Sequence, residues 1–411
     1  MKKRLPRLDP ALWGSAVAAW FRARLDWGPL AAILRQKTVP VHRHDWVYLL
    51  GGTSLFLFVM QIASGVLLMV YYQPAEGTAH ESVHRIASEI PSGWLVRSVH
   101  AWGADLFIAA VGLHALVKLF ARAYRRPREL TWVSGMLLLF AALGFGFTGY
   151  LLPWTELSYC ATLVGTQIAG TVPVIGDGIV HVLRGGAQIS GDTITRFYAG
   201  HVMVLPLATG ALLFVKVALI QAQGLSIPCG MSPRDVRGSR PFFAEYLLLE
   251  LGVWLVLFGI IVTLASLFPA ELGAKADPRR AAPAGIKPEL YFLFMFQLLK
   301  HVPEWAGVSL CGLGALFFVL VPFMDRRANR EEHSRWLTGL FVVLIAVAGC
   351  LQFLAWRTPS PESAVLGEAA ALPSVAQVAV SLTLFWGVIG YLVYYLQKLR
   401  CENARIRSLY P

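Results

Sequence analysis

Residues 94–120 read WLVRSVHAWGADLFIAAVGLHALVKLF. An apolar run of this length crosses a hydrocarbon core of about 30 Å as a single α-helix. It carries two histidines, His100 and His114, fourteen residues apart. Four helical turns take about 14.4 residues, so both imidazoles leave the same face, about 21 Å apart along the axis. One intramembrane histidine is commonly a hydrogen-bonded packing residue. Two on one face, one near each side of the bilayer, fit ligands to two separate metal centres. The separation is too long for one iron and suits two stacked haems.

The rest of the chain belongs in the same solvent. Of its 411 residues, 56% are hydrophobic and 15% charged, against roughly a quarter charged in soluble domains. Eight apolar runs are long enough to span a bilayer: roughly 46–72, 94–120, 130–152, 195–221, 246–269, 303–324, 336–356 and 375–397. They predict an all-α, polytopic membrane protein with eight transmembrane helices. Residues 1–45 precede them, with Trp13, Trp20, Phe21 and Leu25 set among arginines, the composition of an interfacial amphipathic helix. No removable signal peptide is expected, because the first residues lack an apolar stretch with a small-residue cleavage site.

The net charge of +12 raises nucleic acid as a partner, but the placement of the charges argues against it. With both termini cytoplasmic, the N-terminus, the loops after the second, fourth and sixth spans and the C-terminal tail, counted with Lys118 at the cytoplasmic end of the second span, hold 25 of the 36 Lys and Arg. That asymmetry sets the orientation of an integral protein of a bacterial cytoplasmic membrane. The cluster Arg122, Arg125, Arg126 and Arg128 reads as a topology signal beside anionic lipid. Five cysteines (Cys160, Cys229, Cys311, Cys350 and Cys401) form no CxxC or CxxCH, so disulfide, zinc and c-type haem frameworks find no support.

If the second span supplies one ligand to each centre, another span must supply the others. The fourth, which runs in the same direction, contains HVMVLPLATGALLFVK at 201–216. His201 then lies at the depth of His100, and Lys216 at the depth of His114. A charge at the centre of a membrane helix costs about 2.5–3.5 kcal/mol even on the most lenient scale, so Lys216 calls for a functional reason. Glycines on the flanking spans keep the same interval: Gly51 and Gly65 on the first, Gly135 and Gly149 on the third. Flat macrocycles between helices need positions without side chains. Close helix–helix contact explains glycines as well, but not their matched period.

The sequence resembles cytochrome b of the Rieske/cytochrome bc complexes along nearly its whole length. The stretches that carry the likeness are VYLLGG…ASGVLLMVYYQP, GWLVRSVHAWGADL, RRPRELTWVSG, GFTGYLLPW, TVPVIGDGIVHVLRGG, TRFYAGHVMVLPL and KPELYFLFMFQLLKHVP. LRGG…TRFYAGH and the fifteen-residue step from His201 to 216 resemble the photosynthetic subtype, yet here the chain is fused in one polypeptide. The resemblance implies a di-haem four-helix bundle over residues 46–225 and a C-terminal domain over 226–411. Two b-type haems are implied, the outer held by His100 and His201, the inner by His114 and residue 216, where the family normally has histidine. Lysine at 216 leaves three readings: ligation through a neutral amine, which desolvation and coordination favour; a five-coordinate iron with Lys216 bent toward a propionate or carboxylate; or an absent inner haem with Lys216 snorkelling. Leu49 stands where the photosynthetic subtype has the cysteine of an extra haem, so no covalent haem is predicted.

Further positions follow from the same likeness. Arg97 and Arg126 are candidates to hold haem propionates. The outer quinol-site signature Pro-Glu-Trp-Tyr reads Pro288-Glu289-Leu290-Tyr291, keeping an acid able to take a quinol proton and a phenol, and losing an aromatic ring at Leu290. Glu289 could instead cap the helix that follows. Tyr150, Pro153, Trp154, Ile175 and Gly176 would complete that pocket. Near the inner side, Arg234, Arg237, Arg240, Phe242, Phe243 and Glu245 are candidates to meet a second quinone. The implied function is that of the catalytic membrane subunit of a quinol:cytochrome c reductase-type complex. Quinol gives one electron to a Rieske iron–sulfur protein and the other across the membrane through two haems to an inner quinone, building a proton gradient. A c-type cytochrome and a homodimer are implied partners. Two other readings stay open: a haem b anchor of a quinone-linked dehydrogenase or multihaem complex, and a non-redox transporter, which would be colourless.

Overall fold

A computed structural model describes residues 37–357 apart from 43, 232–234, 280–286 and 331. The predicted eighth span, most of the N-terminal interfacial segment, Arg234 and Cys401 lie outside the described residues. Among the described residues, seven helices are long and apolar enough to cross a membrane. The chain is an integral membrane protein.

Leu49–Met69 (α1) contains no charged residue, so nothing interrupts its helix within the apolar solvent. The short amphipathic helix α2 (Ala79–Ser88) leads into α3 (Gly93–Phe120), the histidine-bearing span. Next comes α4 (Glu129–Leu151), which ends just before Pro153, a residue with no N–H to carry the helical ladder on. Two surface helices follow, α5 (Glu156–Gly170) and α6 (Gly176–Arg184). Thr155 and Ser158 begin α5 with a reciprocal capping box: the Ser158 amide donates to Thr155 Oγ1 at 3.3 Å and the Thr155 amide to Ser158 Oγ at 2.9 Å. The fourth span is α7 (Gly191–Ala199), a π turn at Gly200–Val204 and α8 (Leu205–Gln223). Beyond it come α9 (Leu247–Leu267), the short α10 (Leu293–Leu299), α11 (Glu304–Met324) and α12 (Arg335–Arg357).

Two units are distinguishable, residues 1–45 with 232–253 and the remainder. In the first, β1 (Thr38–Val41) and β2 (Gly238–Pro241) form an antiparallel ribbon with Val39 opposite Arg240. A second π turn, Phe242–Tyr246, follows it. In the larger unit, α1 packs on α3, α3 on α4 and α4 on α8, whereas α3 and α8 make no extensive backbone contact. Leu57, Phe58 and Met60 of α1 meet Trp102, Phe107 and Ile108 of α3, with Ile261 and Ala265 of α9 closing the cluster.

The basic loop after α3 differs from its reading as a topology signal. Arg122 is fully buried. Its Nε stands 3.2 Å from Asp325 Oδ2, and its Nη2 donates to Thr338 Oγ1 at 2.7 Å. Tyr124 donates to the same Asp325 oxygen at 2.8 Å, and the Phe341 ring stacks beneath the guanidinium. One cation thus ties the end of α3 to α11 and α12, and the reason is that its partners lie some two hundred residues away in sequence. Because the pair is enclosed, removing one member leaves an uncompensated charge. D325N is expected to destabilise the purified protein by about 3–5 kcal/mol, measured by thermal unfolding in detergent, with R122M/D325L losing less than D325N alone.

The segment after α9 is bound down over the surface helices. Thr155 bridges to Lys275, the Ala276 amide donates to the Trp154 carbonyl at 3.0 Å, and the Glu156 amide to the Ala274 carbonyl at 2.9 Å. Lys275 pairs with Glu81, whose carboxyl it holds below the usual carboxylate range.

Candidate functional site

Four side chains on α3 and the fourth span meet four glycines on α1 and α4. A methyl group at Gly65 would stand 3.3 Å from His100 Cε1, and one at Gly51 3.4 Å from His114 Cε1. At Gly149 it would stand 2.6 Å from His201 Cε1, and at Gly135 2.6 Å from Lys216 Nζ. Any larger residue at the last two positions would displace the facing side chain. The four glycines therefore set how far each of these groups can sit back against its flanking helix.

The step from His201 to Lys216 is fifteen residues. That is one residue more than the fourteen between His100 and His114 on α3. The π turn Gly200–Val204, which begins at the residue before His201, takes up the extra residue. His201 and Lys216 consequently both face α4, at glycines fourteen residues apart.

Hydrogen bonds fix which ring nitrogen is offered. Ser64 Oγ donates to the Met60 carbonyl at 2.8 Å, so its contact with His100 Nδ1 at 2.9 Å is one in which the ring N–H donates. Thr148 Oγ1 likewise donates to the Gly144 carbonyl at 2.8 Å and accepts from His201 Nδ1 at 3.1 Å. Both histidines are left with an unprotonated Nε2, the form in which a metal takes imidazole. Their ring centroids are 6.4 Å apart, with planes at 69°. Two imidazoles bound through one metal, with bonds of about 2 Å, bring their centroids ~6 Å apart. His114 Nδ1 is buried without a hydrogen-bond partner among the described residues. Lys216 Nζ donates to the Thr131 carbonyl at 3.2 Å; a neutral amine making that bond keeps its lone pair. No group of three or more His, Cys, Asp or Glu gathers among the described residues. That donor set suits a macrocycle needing only axial side chains better than a bare ion.

Two further ionisable residues of α3 escaped the sequence reading. Lys118 places its Nζ 5.1 Å from the Tyr48 ring centre and interacts electrostatically with Lys216 and His114. Asp105 is half-buried and interacts with Glu289. A charge inside an apolar span is itself the signal that would have found both.

Glu289 precedes the 3-10 turn Leu290–Phe292 and gives it no side-chain cap. Burial pushes its carboxyl above the usual range. Tyr291 lies against Gly146 of α4, where an added methyl would meet its hydroxyl at 2.7 Å. Tyr150, one turn further along α4, interacts electrostatically with Glu289, Asp105 and Tyr291. Gln352 of α12 donates to the Leu290 carbonyl at 2.7 Å and fixes the backbone of the motif, in which Pro288 and Leu290 are half-buried.

Other predicted positions sit as follows. Arg97 donates to the Ala270 carbonyl and, at 2.8 Å, to that of Glu271, so it anchors the segment after α9. The Arg126 side chain is largely exposed and pairs with Glu129 at 3.5 Å. Trp154 is buried beside Tyr159, and Pro153 is half-buried. Ile175 is exposed. Gly176 packs on α5, where a methyl would stand 2.1 Å from the Gly170 carbonyl oxygen. In the smaller unit, Phe242 packs edge-on to Phe243 at 4.8 Å, and Glu245 pairs with Arg240 at 3.8 Å.

Comparison with known proteins gives the family of the chain. The family model "Cytochrome b/b6/petB" matches residues 35–224, and "Cytochrome b(C-terminal)/b6/petD" matches residues 275–374. A cytochrome bc complex cytochrome b subunit of Chlorobaculum thiosulfatiphilum is 42% identical over 80% of this chain and 78% of its own. Cytochrome b6 of Gloeobacter violaceus is 42% identical over 52% of this chain and 99% of its own. Among solved structures, a chain titled "Hyperthermophilic respiratory Complex III" is 30% identical, covering 90% of this chain and 97% of that one with a TM-score of 0.72. With both halves matched in a single polypeptide, the chain belongs to the cytochrome b family of the bc-type complexes.

Proposed function

We propose that this chain is the catalytic membrane subunit of a quinol:cytochrome c reductase-type complex, oxidising quinol beside Glu289 and reducing quinone near the π turn at Phe242. Family membership implies haem b. The observation that carries the reading is the facing of His100, His201, His114 and Lys216 with four glycines at one repeated interval. His100 and His201 would hold one haem, His114 and Lys216 the other. Two b-type haems so held supply reversible one-electron carriers at two depths.

The chain's own residues do the rest. Ser64 and Thr148 hold the histidine rings in the tautomer that offers Nε2. Tyr150 and Tyr291 border the carboxylate of Glu289, which accepts a proton from the quinol hydroxyl. The bound-down segment after α9 restricts water at that end of the bundle. A Rieske iron–sulfur protein as first electron acceptor, a c-type cytochrome and a second copy of the complex fit the relatives named as bc-complex subunits. Glu245, Arg240 and Phe242 offer polar and aromatic contacts for a quinone headgroup.

The test is E289Q in the assembled complex. General-base removal is expected to slow quinol oxidation by about 100-fold. Because burial raises the Glu289 carboxyl, the wild-type rate rises with pH as the acid ionises, and E289Q loses that rise. A variant that keeps both the rate and the rise sinks the assignment.

A further inference from the structure

The loop after α3 and the loop after α11 meet at one end of the bundle, the end nearer His114 than His100. Between them opens a cavity of about 440 Å³, within the roughly 300–1,000 Å³ of clefts that take small ligands. Arg126, Arg326 and Arg330 line it, and Glu129 is the carboxylate among its walls. Glu129 is already engaged with Arg126 at 3.5 Å. Arg326 and Arg330 are exposed, and the cavity keeps a net positive charge.

The arginines stand on a fixed base. Asp325, enclosed with Arg122, accepts from the Ala328 amide at 3.2 Å through its other oxygen. The 3-10 turn Ala328–Arg330 starts there, and the Arg330 amide closes it on the Arg327 carbonyl at 2.9 Å. Asn329 Oδ1 accepts from the Arg126 amide at 2.9 Å and so ties one loop to the other. Further along the spans, Trp132 Nε1 donates to the Phe318 carbonyl at 2.7 Å and fastens α4 to α11. Backbone and buried partners therefore hold the walls apart at a set distance.

Apolar surface begins at the rim. Pro322 and Phe323 are part of the lining. From Phe323, exposed leucines follow back along α11 at Leu320, Leu316 and Leu313. Steps of three and four residues keep them on one helix face, a stripe about 15 Å long. We propose that the cavity binds an anionic phospholipid, with the phosphodiester on Arg326 and Arg330 and an acyl chain along the α11 stripe. Guanidinium groups offer paired N–H donors that match phosphate oxygens, and basic pockets between membrane helices attract anionic headgroups. Because α11 ends at Met324, the arginines lie at headgroup level and the leucines at tail level. An acidic protein or a free phosphate would use the arginines and leave the adjoining stripe without a part. A lipid seated here joins α4 to α11 beside the enclosed Arg122–Asp325 pair.

The experiment strips the assembled complex of lipid by detergent exchange and titrates it with phosphatidylglycerol or phosphatidylcholine, counting retained lipids by native mass spectrometry. Wild type is expected to hold phosphatidylglycerol about tenfold or more tighter than phosphatidylcholine. R326Q/R330Q is expected to lose about 30-fold in phosphatidylglycerol affinity and to leave phosphatidylcholine unmoved. R279Q, at an exposed arginine of the segment after α9, behaves as wild type. Equal retention of the two lipids by wild type overturns the site, and so does an R326Q/R330Q complex with the wild-type preference. Displacement of the lipid by an equal concentration of inorganic phosphate assigns the cavity to a free anion instead. A variant that keeps its lipid and sheds a subunit assigns it to a protein partner. Either result overturns the lipid. Should the double variant fail to assemble, R326Q and R330Q decide singly: each is expected to lose about fivefold, and no loss in either overturns the proposal.

Discussion

His201→Leu is expected to leave the purified protein with one of its two proposed b haems, and to lower quinol-driven turnover by more than about 100-fold. Even residues that only support a metal ligand are worth 10–100-fold, and His201 is proposed as the ligand itself. The Leu side chain also cannot use Thr148, so Thr148 Oγ1 loses the ring N–H it accepts. A pigment extraction count reads the first effect, and reduction of the remaining haem by quinol reads the second. Because His114 and Lys216 lie on the far side of the bundle, the second haem's absorption band is expected to survive. Two haems in the variant would place the outer ligand elsewhere.

Lys216→Ala has the second large effect. If the amine is the sixth ligand, its removal leaves a five-coordinate iron, and the inner haem changes from a low-spin to a high-spin spectrum. Lys216→His restores the low-spin band. It is expected to shift the midpoint potential by on the order of 0.1 V, within the ~0.8 V span that axial ligands command. The geometric ground is that Lys216 meets Gly135 as His201 meets Gly149, one group to each glycine. Its bond to the Thr131 carbonyl holds the amine in place as Ser64 holds His100. An alanine variant with the wild-type spectrum means the amine serves another purpose.

Much of this was legible before any coordinates. The histidine interval and the two glycine intervals are properties of helical period, and period is local, so sequence carries it faithfully. The seven described spans follow from composition for a similar reason, since a bilayer leaves backbone polar groups no partner but the helix itself. Arg122 is different. Nothing in RAYRRPREL separates an interfacial arginine from one locked beneath Phe341, because the deciding partner, Asp325, is two hundred residues away. Glu289 was found through a motif, whereas Asp105 has meaning only once the loop before α10 is laid beside α3. Arg97 was read as a candidate for a haem propionate, and nothing in its sequence neighbourhood announces the carbonyls after α9 to which its guanidinium donates. Long-range pairing of that kind leaves no periodic trace.

The π turn at Gly200–Val204 also bears on how such proteins diversify. One wide turn is a reservoir of slack: a chain can gain or shed a residue there while everything downstream keeps its heading. Intervals of fourteen and fifteen between the two positions on the fourth span thus become equivalent in space though different in text. A rigid sequence pattern would count them as separate designs. The coil between them makes them one.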